Sequence, residues 1–282
     1  MIELGMHVDN WRHSDVSYDV PCEFARKHGL KYVEFGTIDG DYFIQALGYN
    51  PHIPLHTDPL KLKKYLDSLG LKVSQIDAAY PISTPEGQYR GVPYTLRSIQ
   101  FAKALGARFV DTTDGARKPE GYTDEEVLAM TRQNFRQILE WADDYGIIIN
   151  VEPHGPYTTD PDTVARILGF FDSPRFGMNL DTGNTFIAGQ DPVAFAKRFR
   201  DRINHVHVKD VSQELAAAMR GEETGIASSS ASIGKGVNAG NIEKVLKFFK
   251  ETRWDGVLSV ETLGTEENIR ESLGWLRKVI AG

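Results

Sequence analysis

The chain has 282 residues, with 32 Lys and Arg against 39 Asp and Glu, a formal net charge of -7. That acidic balance leaves no basic footprint for nucleic acid or an anionic membrane, and no apolar run approaches the roughly 20 residues of a spanning helix. The single cysteine, Cys22, excludes an internal disulfide, and Met1-Ile2-Glu3-Leu4-Gly5 lacks the basic head and apolar stretch of a leader, so a cytoplasmic protein acting on a small molecule is expected.

In chain order, short apolar runs alternate with segments of 3.6-residue periodicity. The runs are Glu3 to Val8, Leu30 to Phe35, Lys72 to Asp77, Ala107 to Asp111, Ile147 to Glu152, Phe176 to Leu180, Ile203 to Val208 and Gly256 to Glu261. The helical segments are Val20 to His28, Pro59 to Ser68, Pro93 to Leu105, Thr123 to Tyr145, Pro161 to Phe170, Pro192 to Arg200, Asn241 to Glu251 and Glu266 to Ile280. Three helices open on a capping aspartate followed by a first-turn proline, at Asp58-Pro59, Asp160-Pro161 and Asp191-Pro192, and several end in glycine before the next run. Eight strand and helix units in strict order predict an α/β protein built as one (β/α)8 TIM barrel domain over residues 1–282. The first run is followed by His7-Val8-Asp9-Asn10-Trp11-Arg12 rather than a glycine-rich turn, which argues against a dinucleotide enzyme.

One connection is too long for a barrel loop. After the seventh strand, Lys209 to Gly240 holds a helix-like piece, Ser212 to Arg220, and a run of small residues from Gly225 to Gly236. Two readings stay open, a lid or phosphate-binding loop at the barrel mouth, for which Lys235 between glycines is a hint, and a plain flexible insertion. A second long connection, Ala78 to Val92, brings Tyr80, Pro81, Arg90 and, just beyond it, Tyr94, to wall a pocket.

The last four strands end in Glu152, Asp181, His207 and Glu261. All strand carboxyl ends of a barrel face one mouth, so these side chains can converge. Three carboxylates and an imidazole make a hard donor set for one divalent cation, manganese first, with magnesium, cobalt or zinc as alternatives. A metal holding a ketone oxygen and its neighbouring hydroxyl makes the adjacent C–H acidic, and a carboxylate can then move the proton through an enediolate.

The segments Asn150-Val151-Glu152-Pro153-His154, Gly177 to Asn184, His205-Val206-His207-Val208-Lys209-Asp210 and Leu258-Ser259-Val260-Glu261 resemble, in order, the metal-site segments of the xylose-isomerase-like barrel superfamily. That group includes ketose 3-epimerases, hydroxypyruvate isomerases, inosose dehydratases and endonuclease IV. The resemblance implies Glu152, Asp181, His207 and Glu261 as ligands of one ion, Glu152 and Glu261 as the acid/base pair on opposite faces of a small keto sugar, and a homo-oligomer. Asn184 stands where the sugar epimerases usually carry a histidine, and it can donate a hydrogen bond to a substrate hydroxyl. The missing extra histidines and the acidic balance speak against an endonuclease IV-like repair enzyme.

A narrower similarity, to the α subunits of C-glycoside deglycosidases, rests on Glu152-x-His154 and the opening His7 to Arg12. It implies a lyase on a 3-keto sugar or 3-keto-glycoside, with His154 as the base and a small second subunit. A non-catalytic sugar-binding barrel is the third hypothesis. The expected substrate contacts are His7, Trp11 (an aromatic face for a sugar), Asn184 and Lys209. Glu34, Asp77 and Asp111 end strands two to four, as substrate ligands or as solvated strand ends. His205 is expected to point toward the helices, away from His207. His13, His28, His52 and His56 are read as surface or loop residues, and Cys22 as a small buried hydrophobe.

Overall fold

The computed structural model describes residues 1–12, 14–39, 51–221 and 224–282; His13 lies outside the described residues. Eight parallel strands among them carry the architecture: β1 (Ile2–His7), β2 (Tyr32–Ile38), β3 (Lys72–Pro81), β4 (Phe109–Thr113), β5 (Ile148–Val151), β6 (Phe176–Asp181), β7 (Ile203–Val208) and β8 (Gly256–Val260). Each pairs with the next in the chain, and β1 pairs with both β2 and β8, so the sheet closes into the expected (β/α)8 barrel. A two-residue strand, Ile53–Pro54, adds beside Thr37 and Ile38 of β2.

Among the described residues the α-helices are α1 (Asp19–Lys27), α2 (Pro59–Ser68), α3 (Gly91–Leu105), α4 (Asp124–Tyr145), α5 (Pro161–Leu168), α6 (Thr182–Ile187), α7 (Pro192–Arg198), α8 (Gln213–Met219), α9 (Ala239–Glu251) and α10 (Glu266–Ala281). The capping aspartates act as their sequence suggests: Asp58 accepts from Leu60 N–H, Asp160 from Thr163 N–H and Asp191 from Val193 N–H. Gly106 and Gly146 end α3 and α4 at φ 81° and 68°, a left-handed turn that favours glycine. No helix among the described residues is long and apolar enough to cross a membrane.

The strands alternate more strictly than their apolar look suggests. Phe35, Val110, Ile149, Val151, Met178, Leu180, Val206, Val208 and Leu258 belong to one buried hydrophobic core, while the residues between them, Glu34, Asp111, Asn150, Asn179, His205 and His207, are just as buried but polar. The period of two places the first set under the helices and the second inside the barrel. There many of the polar groups pair with one another, Asn150 donating to Gln75 Oε1 at 2.7 Å and His205 Nδ1 lying 3.0 Å from Asn179 Oδ1, while Glu34 Oε2 and Asp111 Oδ1 are left without a hydrogen bond. The expectation for His205 is therefore corrected. Residues two apart on a strand share a face, and the His205 and His207 rings meet inside the barrel at 5.6 Å.

The insertion after β7 contains α8 and then crosses the mouth of the barrel. Gly225 N–H donates to His154 O at 2.8 Å, and Leu263 N–H donates to Ser229 O at 2.7 Å, so it bridges the loops after β5 and β8. The Gly234-Lys235-Gly236 turn wraps a protein carboxylate: Asp210, fully buried, takes the N–H groups of Gly234 and Gly236 on Oδ2 at 2.9 Å each and those of Val211 and Asn238 on Oδ1. Lys235 is exposed and pairs with Glu271. The phosphate hint thus fails on geometry, because the donors a phosphate needs are already taken.

Candidate active site

A cavity of about 630 Å³ opens at the carboxyl ends of the strands, lined by His7, Asp77, Glu152, Asn184, His207, Lys209 and Glu261 among others. Ligand atoms of Glu152, Asp181, His207 and Glu261 all lie within 4.8 Å of one another. His207 Nδ1 is 2.7 Å from Glu152 Oε1 and 3.3 Å from Glu261 Oε2. Glu261 Oε2 is a buried oxygen without a hydrogen bond. A buried carboxylate oxygen left in that state is costly, and a cation beside it would remove the cost. The three carboxylates and one imidazole therefore fit a hard divalent ion.

Each of these groups is fixed by its element. Asp181 ends β6 and caps α6, a helix absent from the sequence reading, by accepting from Gly183 N–H at 2.7 Å and Asn184 N–H at 2.8 Å on Oδ1. That leaves Oδ2 for the cluster, although Asp181 itself does not line the cavity, and Lys209 Nζ reaches this oxygen at 2.9 Å. Lys209 also lies 2.8 Å from Glu261 Oε1 and donates to Asn184 Oδ1 at 3.0 Å. A Cβ on Gly183 would come within 2.5 Å of the Lys209 stem, so glycine is what lets the lysine pass. The two expected substrate contacts Asn184 and Lys209 thus sit together beside the cluster.

The electrostatics separate the two glutamates. Burial pushes the Glu152 carboxyl upward against the pull of His207. Burial acts on Glu261 the same way, but Lys209 and His207 more than offset it and hold that carboxyl below the usual range. Burial opposes a charged His207, yet Glu34 and Glu152 lift its imidazole well above the usual range.

His154 lines the same cavity, half-buried, on the loop after β5. The loop is held by Asp114, a residue the sequence reading did not single out. Its carboxylate accepts from Gly155 N–H at 2.7 Å, Tyr157 N–H at 2.7 Å and Thr158 Oγ1 at 2.8 Å. Gly155 passes so close to Gly115 O that a Cβ would lie 1.7 Å from it. Nothing local in the sequence marks Asp114, because its partners are 41 to 44 positions away.

On the other wall, His7 is buried at the end of β1, accepts from Asp9 N–H on Nδ1 and lies 3.3 Å from Asp77 Oδ2 through Nε2. Tyr80, Arg90 and Tyr94 line the cavity, as expected of the connection after β3, and Pro81 is not among the lining residues. Two expectations are corrected. Trp11 does not line the cavity; it is 7% exposed and packs edge-on against Phe24 at 5.1 Å, filling the space under α1. His52 is no surface residue: it lines the cavity with Nε2 3.1 Å from Asp9 Oδ1. Glu34 and Asp111 are fully buried rather than solvated, and neither lines the cavity; Asp77 does.

Fold and site together define a parallel barrel with a carboxylate-rich donor set gathered at the carboxyl ends of its strands. The chain belongs to the xylose isomerase-like TIM barrel family, which it matches over residues 22–279. An inosose dehydratase of Lacticaseibacillus casei is 22% identical over 234 residues, covering 76% of this chain and 73% of that protein. The structure of a D-tagatose 3-epimerase-like protein matches with a TM-score of 0.78 at 21% identity, covering 99% of this chain and 97% of that one. The IOLI protein with a binding zinc atom matches with a TM-score of 0.77 at 16% identity, covering 99% and 98%.

Proposed function

We propose that the protein is a divalent-metal-dependent enzyme that epimerises or isomerises a small keto sugar or related cyclic ketone by moving a proton next to its carbonyl. The observation that carries this reading is that Glu152 and Glu261, just past the ends of β5 and β8 three strands apart, both line the cavity and flank one imidazole nitrogen of His207. The residues that would hold the ion are Glu152, Asp181, His207 and Glu261, and manganese suits their hardness best. When bound, such an ion polarises a carbonyl and acidifies the neighbouring C–H.

The side chains supply the rest. Glu152, which burial makes the more basic of the two, takes a proton from carbon as its carboxylate and passes it on to solvent before the next turnover. Glu261, whose Oε1 is held by Lys209 and whose buried Oε2 lies beside His207, lines the cavity and relays a proton from solvent to the other face or the other carbon. Lys209 and Asn184 orient substrate oxygens on one side and His7 on the other. The insertion residues Ile226 to Ser229 close over the cavity and reduce its contact with water.

A second reading has its own support. The relatives include inosose dehydratases, and His154 adds to the cavity a proton-carrying group besides the two glutamates, which epimerisation does not require. With a leaving group β to the carbonyl, the same proton abstraction would end in elimination.

Incubating the manganese-loaded protein with candidate ketoses and inososes in heavy water tests both. Deuterium at carbon with retained composition supports the epimerase or isomerase, an unsaturated product supports the dehydratase, and neither product with any candidate argues for a sugar-binding barrel instead.

A further inference from the structure

We infer that Glu34 is a positioning residue that fixes which nitrogen of His207 is offered to the divalent ion. The inference rests on the metal reading of the site. Glu34 is fully buried and outside the cavity lining, so it is placed to act on a side chain rather than on substrate. Its Oε1 lies 2.9 Å from His207 Nε2. An ionised carboxylate only accepts, so Nε2 carries the proton.

The second nitrogen gives the same answer from another direction. Asn179 Nδ2, which can only donate, lies 3.1 Å from His207 Nδ1. Its amide is oriented by two further contacts, Oδ1 with His205 Nδ1 at 3.0 Å and Nδ2 with Asp111 Oδ2 at 3.3 Å. Nδ1 is the nitrogen that faces Glu152 and Glu261, at 2.7 and 3.3 Å, so it is the one that would give up its proton and offer its lone pair to an ion among them. Glu34 is itself held in place: Gln75 donates to its Oε1 at 2.9 Å, Asn150 donates to Gln75 at 2.7 Å, and Asn204 donates to Asn150 at 2.9 Å. This chain of amides runs through the barrel from β7 by way of β5 and β3 to β2, so the ring of one ligand is aimed by residues of four strands.

The same atoms admit a rival role. Ligand atoms of His7, Glu34 and His207 also lie within 4.8 Å of one another. A second ion there would need the proton-bearing nitrogen of His207 that Glu34 already holds, and His207 would have to bridge two ions. The hydrogen-bonded reading needs neither.

The test uses the full chain labelled with 15N-histidine and loaded with zinc, whose diamagnetism permits long-range proton–nitrogen correlation spectra. His207 is expected to show a protonated Nε2 and a zinc-bound Nδ1, with one zinc per chain. Glu34→Gln is expected to weaken zinc binding about 10- to 100-fold in chelator competition while keeping a cooperative melt. Zinc on Nε2, two zinc ions per chain, or a folded Glu34→Gln with affinity within twofold of wild type overturns the role of Glu34 and leaves the metal reading standing. If Glu34→Gln does not fold, the wild-type spectrum decides. Wild-type protein that binds no zinc, manganese or magnesium overturns both.

Discussion

The ammonium of Lys209 stands 2.8 Å from Glu261 Oε1, and the same group reaches Asp181 Oδ2 at 2.9 Å. One buried cation thus serves two of the four candidate metal ligands, on Glu261 the oxygen turned away from His207 and on Asp181 the oxygen not held by the backbone of α6. Lys209 lowers the cost of gathering three acidic groups in a buried site before any divalent ion arrives.

Removing that cation should expose the cost. Lys209→Met is expected to destabilise the chelator-treated protein by about 3–5 kcal/mol, the usual penalty for stranding a buried charge. Added manganese should recover more stability in the variant than in wild type, because the ion then neutralises carboxylates that have lost their lysine. Urea unfolding with and without metal measures both; equal stability of variant and wild type in chelator would show that the lysine carries no such load.

The two glutamates should be separable from the fold. Glu152→Gln and Glu261→Gln are each expected to reduce deuterium incorporation into substrate by about 10²- to 10⁴-fold, the worth of a general acid or base. Proton NMR in heavy water reports the exchange directly. Because each residue is also a proposed ligand, the rates are to be compared at saturating metal, and a variant that retains wild-type exchange there has no role in proton transfer.

Asp114 offers a prediction about geometry rather than chemistry. Asp114→Ala removes the carboxylate that takes the N–H groups of Gly155, Tyr157 and Thr158, leaving Gly155 and Thr158 only their bonds to Thr158 Oγ1 and Gly155 O. Each such group costs about 1–3 kcal/mol when buried and unpaired, so a loss of a few kcal/mol is expected, with faster amide hydrogen exchange confined first to residues 153–159. Unchanged protection of those amides would mean that the loop carrying His154 is held by other contacts.

The insertion can be tested in the same way. Asp210→Ala removes the acceptor of four backbone N–H groups, at Val211, Gly234, Gly236 and Asn238. Limited proteolysis should then cut between residues 225 and 237 much faster than in wild type, and inorganic phosphate should not slow the cutting of either protein. Protection by phosphate in the wild type would restore the phosphate-loop reading that the present geometry contradicts.

The amino-acid sequence determined a good deal of this protein by itself. Strand and helix alternation, aspartate-proline caps and closing glycines are local patterns, and local patterns sufficed to place eight strands in register order and to bring Glu152, Asp181, His207 and Glu261 to one rim, since every strand of a parallel barrel ends on the same side. What lay beyond its reach were relationships between distant residues. Trp11 looked like a sugar platform until packing against Phe24 gave it a core position; His52 looked idle until the fold set it beside Asp9; the Gly234–Gly236 turn looked ready for a phosphate until Asp210 took its donors. Asp114 carried no signal and Glu34 read only as a strand end, because a buried carboxylate is defined by what surrounds it, and its surroundings come from strands and loops that meet only when the barrel closes.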